Sequence, residues 1–370
     1  MKKIAFKTIF LPYLIQGDEV IISNNEKTFR LNNVDSKLTK IINTMDGTKS
    51  YNDILEVNDV SSSFLNSFID FLNNNFFIEY LDSEEVKNFS DSSRYKSNLL
   101  YYSNFSNKKY SSSDIHNEIR KKTVLLLGLG GASIIAATLT GMGIKRIIGV
   151  DYDVIDKSNL SRQFLFSEEN IGESKTTVTK NFLSKINSDV DVYTYNRKIT
   201  CVADIEQILK ENQVDIIVNG LDSPSVVTSR WVNNACKEYR IPMIQAGVNK
   251  TNLLLEMFVP NGACFDCVVK NNAKNNKDYV SQLLSVYGKS SSLQNVSYAP
   301  YINMLAGYVT HYIFNYFLDP KNINSSFCQI IDTRNISSVF EKKYTINNKC
   351  ETCSLKRFDK LVDINTIIGN

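Results

Sequence analysis

Between residues 121 and 260 short apolar segments alternate with amphipathic ones, and this alternation constrains the chain more than any other feature. Residues 123–127, 146–150, 190–196 and 215–219 read as strands, and 242–246 and 253–259 as further strands. Residues 132–142, 174–186 and 226–239 carry helical patterns between them. A helix after each strand returns the chain across the sheet, so successive strands run parallel. The pattern predicts an α/β fold with a Rossmann-like, doubly wound, mostly parallel sheet.

Outside that region the pattern changes. Residues 1–90 read as a small α+β unit with strands over 4–15, 20–31 and 76–81. Between them, Leu38, Ile41, Ile42 and Met45 fall on one helical stripe, and Phe64, Phe68, Phe71 and Leu72 on another. A polar stretch at 82–93 reads as a linker, which divides the chain into domains 1–90 and 91–370. Residues 271–297 read as polar and irregular with at most one short helix, and 301–318 as a long apolar helix.

Composition narrows the function classes. Lysine and arginine number 42 against 39 acids, a formal charge of +3, which lacks the basic footprint of a nucleic-acid binder. No run of about 18 apolar residues suggests a membrane span. The basic start, Met1-Lys2-Lys3, is followed by Pro12, Gln16, Gly17 and Asp18 rather than a clean apolar stretch with a cleavage site, so no signal peptide is expected. A cytoplasmic location follows as the expectation, and there seven cysteines point to metal or free thiols rather than disulfides. With only His116 and His311, a histidine-based triad or metal site is poorly supplied.

Gly128-Leu129-Gly130-Gly131 joins the first of the alternating strands to its helix. Glycine there lets the backbone approach a phosphate, and the helix N-terminus favours an anion. Asp151 ends the next strand, 23 residues after Gly128, where a carboxylate accepts hydrogen bonds from ribose hydroxyls. These features indicate a nucleotide without separating NAD from ATP. The segment Gly172-Glu173-Ser174-Lys175-Thr176 is not a Walker loop, since no glycine directly precedes the lysine.

A second string is more specific. Asn159-Leu160-Ser161-Arg162-Gln163 follows Asp151, Gly172-Glu173-Ser174-Lys175 follows that, and Asn219-Gly220-Leu221-Asp222 ends a later strand. In this order and spacing they resemble the ThiF/MoeB/HesA family, bacterial relatives of ubiquitin-activating enzymes, over about residues 94–355. Arg94-Tyr95, the run from Arg162 to Glu168, and Tyr298-Ala299-Pro300 are most similar to the adenylyltransferases of microcin C biosynthesis, with the pantocin A maturation enzymes a second relative. The resemblance implies ATP-dependent adenylation of a carboxylate on a ribosomally made precursor peptide during peptide antibiotic maturation. It implies that residues 1–90 form a winged-helix-like peptide clamp, in which the leader adds a strand to a small sheet, and that the chain works as a homodimer.

The chemistry of that reaction agrees with the residues. A carboxylate oxygen attacks the α-phosphate and pyrophosphate leaves, so fixed positive groups must surround the departing charge. Arg162 and Lys175 supply them, Asp222 would hold Mg²⁺, and Asn159 would bind phosphate or ribose. A bland alternative for Asn159 and Arg162 is a helix cap with a surface ion pair. The resemblance adds Arg94 to the ATP-binding set with Gly128, Gly130, Gly131 and Asp151.

Cys264-Phe265-Asp266-Cys267 and Cys350-Glu351-Thr352-Cys353 are two C-x-x-C pairs separated by 82 residues. Four thiolates suit a closed tetrahedral Zn²⁺ site, which would clip the C-terminal tail to the body. Cys236 and Cys328 read as core thiols, on a helix and a strand, and Cys201 has no assigned role. No cysteine lies in 271–297, where ubiquitin-activating relatives carry a thioester, so persulfide or thioester transfer is disfavoured.

Two positions depart from the family pattern. Ser133 stands where the family has the last glycine of its G-x-G-G-x-G, and Ser97 where relatives have an arginine that reaches the ATP phosphates of the other subunit. Two other function classes stay open: an NAD-dependent oxidoreductase, suggested by the glycine turn and Asp151, and a catalytically degenerate peptide-binding scaffold, suggested by Ser97 and Ser133.

Overall fold

Thr123–Leu127 is apolar at nearly every position, and the computed structural model buries all of it. This strand lies inside an eight-stranded sheet, and its alternate residues feed two different cores. Val124 and Leu126 face one, Leu125 and Leu127 the other. A strand covered on both sides reads as a continuous apolar run, as a central parallel strand should. The structure describes residues 2–11, 13–24, 26–82, 94–107, 109–249, 251–289, 297–335 and 337–354.

The chain divides into two compact units, Met1–Arg120 and Lys121–Asn370. The N-terminal unit runs β1 (Lys3–Phe6), β2 (Leu14–Gln16), β3 (Glu19–Ser23), β4 (Thr28–Asn32), α1 (Lys37–Thr44), α2 (Tyr51–Asn58), α3 (Ser62–Asn74), β5 (Ile78–Leu81), α4 (Lys96–Tyr102) and α5 (Ser112–Ile119). The two long strands expected over 4–15 and 20–31 are each broken in two. β1 pairs with β5, while β2, β3 and β4 form a separate antiparallel meander. Gly17, with φ +59°, turns β2 into β3 through a two-residue hairpin. Asn24 Oδ1 accepts from the Glu26 and Lys27 N–H groups and closes the next turn. Ser50 with Asp53 and Ser111 with Asp114 form capping boxes that start α2 and α5.

The unit boundary falls after Arg120, whereas the sequence places it near 90. Two buried polar contacts bind α4 and α5 to the first unit. Lys7 Nζ donates to the Ser106 carbonyl at 3.1 Å, and the Ser112 N–H donates to Glu79 Oε2 at 3.0 Å. Of the expected linker, residues 83–93 lie outside the described residues.

The second unit contains β6 (Thr123–Leu127), α6 (Ala132–Met142), β7 (Arg146–Asp151), α7 (Lys175–Ile186), β8 (Asp191–Asn196), α8 (Val202–Glu211), β9 (Ile216–Asn219), α9 (Val227–Tyr239), β10 (Met243–Asn249) and β11 (Asn252–Phe258). It ends with α10 (Phe265–Asn275), α11 (Lys277–Val286), α12 (Ala299–Leu318), β12 (Phe327–Asp332) and β13 (Val339–Lys343). The sheet order is β13-β12-β11-β10-β9-β6-β7-β8. β10, β9, β6, β7 and β8 run parallel to one another, and β11 to β13 add antiparallel pairs beyond β10. The α/β expectation holds. Residues 271–297 are more ordered than expected, since α10 reaches Asn275 and α11 follows, with 290–296 outside the described residues. Among the described residues no helix is long and apolar enough to cross a membrane.

β6 continues through α6 to β7 on one side, while β9 lies on its other side. The loops leaving the carboxyl ends of β6 and β9 therefore diverge. That divergence opens the crevice in which doubly wound sheets bind ligands.

Candidate functional site

Gly128 and Gly220 follow β6 and β9, and their loops touch. The Gly128 N–H donates to the Val150 carbonyl at 2.8 Å, and the Gly220 N–H to the Leu127 carbonyl at 2.7 Å. Gly128 has φ +88°, and a Cβ on it would lie 2.9 Å from the Gly220 carbonyl oxygen. Both the dihedral and the contact demand glycine. A Cβ on Gly130 would stand 3.1 Å from Gln163 Nε2. Ser133 is fully buried, and its Oγ donates to the Gly130 carbonyl at 2.7 Å. The serine in place of the family glycine thus ties the loop to the first turn of α6.

Gly128, Gly130, Gly131, Asp151, Asn159, Arg162, Lys175 and Asp222 all line one cavity of about 270 Å³ beside this loop. Arg94 belongs to the N-terminal unit.

Asp151, at the end of β7, is 8% exposed and accepts hydrogen bonds from the Leu129 N–H at 2.7 Å and the Asp153 N–H at 2.9 Å. Burial pushes its carboxyl above the usual carboxylate range, against the pull of those N–H groups and of Lys175. Each oxygen already holds a backbone donor, so a ribose would use the remaining lone pairs.

Asn159 Oδ1 accepts from the Asp156 N–H at 3.1 Å, which leaves its amide N–H groups for a ligand. The turn cap is therefore present, without an ion pair among the described residues. Arg162 donates to the Ser158 carbonyl at 2.9 Å and has no carboxylate partner among the described residues. Lys175 is 5% exposed, and its Nζ lies 2.9 Å from Asp153 Oδ2. An isolated bridge between Val154 and Ser174, with the Lys175 N–H on the Asp153 carbonyl, fixes the two residues side by side.

Three cavity residues escaped the sequence reading. Asp153 partners the lysine, and its signal was the spacing Asp151-Tyr152-Asp153. Gln163 is 5% exposed with Oε1 buried and lacking a partner. Arg197, just beyond β8, donates to Gln207 Oε1 and the Asp204 carbonyl while its buried Nε has no partner. Gln163 closes the Asn159–Gln163 string and was visible there without a role, whereas no sequence motif distinguishes Arg197.

Asp222 sits on the exposed loop after β9. Asn219 braces that loop, accepting from the Leu221 N–H at 3.2 Å and donating to Gln245 Oε1 at 2.9 Å and Ser229 Oγ at 3.3 Å. Asp222 also borders a second cavity of about 260 Å³, walled by Ile135, Val218, Ile302, Leu305 and Val309.

The four paired cysteines meet, with their sulfurs all within 4.8 Å of one another. Cys264 lies 3.5 Å from Cys350, 3.6 Å from Cys353 and 3.7 Å from Cys267, and Cys267 lies 3.5 Å from Cys353. Sulfurs on a tetrahedral zinc at about 2.3 Å stand about 3.8 Å apart, so the cluster could hold that ion with little adjustment. The Asn347 N–H donates to Cys267 Sγ at 3.4 Å. Beneath it Asp266, 4% exposed, takes two bonds from Arg230, 2% exposed, and one from Thr352 Oγ1. Cys236 and Cys328 are buried in α9 and β12 as expected, and Cys201 precedes α8 half-buried.

The ThiF family profile matches residues 101–355. The chain belongs to the ThiF family. Among curated ThiF-like relatives, ubiquitin-like modifier-activating enzyme 5 of Dictyostelium discoideum is 30% identical over 44% of this chain and 45% of its own length. The adenylyltransferase and sulfurtransferase MOCS3 of Anopheles gambiae is 29% identical over 41% of this chain and 34% of its own. The chain thus spans less than half of the curated relatives it matches. E. coli MccB, solved with AMPCPP and MccA, covers far more: TM-score 0.73 and 24% identity over 95% of this chain and 100% of that one. The same enzyme, described as a microcin C7 biosynthetic enzyme, is also solved with N-formylated MccA, at TM-score 0.72 and 23% identity. This likeness extends the shared fold through the N-terminal unit as well as the ThiF region.

Proposed function

We propose that this chain adenylates a carboxylate of a ribosomally made precursor peptide with ATP. The observation that carries the reading is the convergence of Gly128–Gly131, Arg162, Lys175 and Asp222 on one cavity within a ThiF-family sheet. The solved relative with both a nucleotide analogue and a peptide supports the peptide as acceptor.

The glycine loop and the start of α6 take the phosphates, and Asp151 takes the ribose. Asn159 adds a donor to phosphate or ribose. The substrate carboxylate oxygen bonds to the α-phosphorus as the bond to the bridging oxygen breaks, and pyrophosphate leaves with that electron pair. Arg162 and Lys175 stand where this charge develops. Mg²⁺, which uses one or two carboxylates with phosphate oxygens, fits the single exposed carboxylate of Asp222 and would neutralise the phosphate charge. Zn²⁺ on Cys264, Cys267, Cys350 and Cys353 is structural, since a four-thiolate shell leaves no open position. Residues 1–90 clamp the leader, and the chain acts as a cytoplasmic homodimer in which Arg94 or Lys96 serves the ATP phosphates that the family arginine, replaced here by Ser97, would reach.

Two products follow from the same acyl adenylate: a nucleotide-linked peptide of microcin C type, or a ring closed through an activated glutamate of pantocin A type. Mass spectrometry of a short precursor encoded beside this gene, after incubation with Mg·ATP, separates them. Added AMP supports the first, and loss of water or carbon dioxide the second. Tight NADH binding without ATP binding overturns adenylation, and pyrophosphate release at background, unaltered by Asp222→Asn, reduces the chain to a binding scaffold.

A further inference from the structure

Asn219, Gln245 and Glu256 form a polar row across three neighbouring strands. Asn219 pairs with Gln245 in the β9–β10 register, and Gln245 with Glu256 in the β10–β11 register. The row lies on a face otherwise packed with Ile217, Met243 and Phe258. Polar residues in such a place need a reason, because an apolar row would pack there at lower cost.

They line a separate cavity of about 260 Å³, bounded by Gly220, Asp222 and Ser229 on one side and Leu254 on the other. Beside Asp222 its second carboxylate is Glu256, half-buried, whose Oε2 accepts from Gln245 Nε2 at 2.7 Å and whose Oε1 accepts from the Tyr344 hydroxyl. Both donors are neutral. Among the described residues no lysine or arginine lines the cavity, and Glu256 makes no ion pair. The Gln245 amide is oriented from both ends, since its oxygen takes Asn219 and Ser229 while its nitrogen gives to Glu256. The carboxylate is thus held in place by neutral donors, with no counter-charge among the described residues, and it faces a space that adjoins the Asp222 loop.

We propose that this cavity receives a basic side chain, lysine or arginine, of the substrate peptide beside the carboxylate that is activated. The proposal rests on the adenylation reading for its substrate. An ammonium or guanidinium supplies the missing counter-charge, its alkyl stem packs on Leu254, and an acidic side chain is repelled by Glu256. Glu256 would then set specificity, with Gln245 and Asn219 as positioning residues.

The test uses fluorescein-labelled alanine hexapeptides with a free C-terminal carboxylate, carrying arginine, glutamate or leucine at one of the last three positions. Binding is read by fluorescence anisotropy and adenylation, separately, by ATP–pyrophosphate exchange. At one position the arginine peptide should bind at least about tenfold more tightly than the other two. Glu256→Gln should abolish that preference and Glu256→Lys should pass it to the glutamate peptide, a gain that a misfolded variant cannot produce. Equal binding of the three peptides to the unaltered chain, or an arginine preference that survives both substitutions, overturns the proposal. Exchange without charge preference sinks the cavity's role and leaves adenylation standing. Charge-selective binding without exchange does the reverse.

Discussion

Lys175 Nζ stands 2.9 Å from Asp153 Oδ2, and the lysine is 5% exposed while the aspartate side chain is 46% exposed. The ion pair therefore holds a buried cation at the edge of the nucleotide cavity by means of a carboxylate that water still reaches. Lys175→Ala should lower pyrophosphate exchange by about 100-fold or more, the scale of one fixed charge at a developing anion. Asp153→Asn, which leaves the charge but loosens its aim, should cost about tenfold. Equal losses from the two substitutions would assign Asp153 a direct role rather than an orienting one.

Gly128→Ala forces a Cβ to 2.9 Å from the Gly220 oxygen at φ +88°. It should cost about 1–3 kcal/mol of stability and weaken ATP binding by an order of magnitude or more. Ser133→Ala removes only the bond to the Gly130 carbonyl, so it should cost about 1 kcal/mol and leave ATP affinity nearly unchanged. Thermal unfolding and ATP titration of both variants read these outcomes.

The purified chain should carry about one zinc per molecule by elemental analysis, since four sulfurs make one site. Cys350→Ser should lose the metal and expose the segment after β13 to protease. Asp266→Ala should cost about 3–5 kcal/mol, because Arg230 is 2% exposed and loses its buried carboxylate.

His116 gives the N-terminal unit a pH dependence. The ring is 6% exposed, with both nitrogens buried and lacking a partner, against Tyr95 and Tyr102. Burial, with a smaller push from Arg120, lowers its pKa from 6.5 to about 4. As pH falls below 6.5 the unfolded chain takes the proton first, so stability drains between 6.5 and 4, by up to about 3 kcal/mol. Urea unfolding of the full chain from pH 7.5 to 5 should show this slope, and His116→Phe should flatten it. The same slope in the variant would refute the assignment.

The alternation over 121–260 carried the parallel part of the sheet, because a strand buried on both faces must be almost wholly apolar, as Thr123–Leu127 is apart from Thr123. The N-terminal strands were less legible. Residues 4–15 are apolar enough for one strand, yet Lys3–Phe6 and Leu14–Gln16 pair in different sheets, and composition holds no register. The unit boundary was hidden for a similar reason, since Lys7 reaching Ser106 and Glu79 holding Ser112 join residues far apart in the chain. Asp153 was visible as a residue but not as a partner.

What the sequence determined by itself was chemistry tied to short spacing: the glycines and acid of a nucleotide turn, the asparagine, arginine and lysine of the following string, and two cysteine pairs. Short spacing is legible because local backbone geometry places such residues. The tertiary structure bore out the expected meeting of the cysteine pairs, and it alone decided that Lys175 pairs with Asp153 and that Asn219, Gln245 and Glu256 line up beside Asp222. Those relationships depend on strand order and register, which hydrogen bonds between distant segments set and no local pattern records.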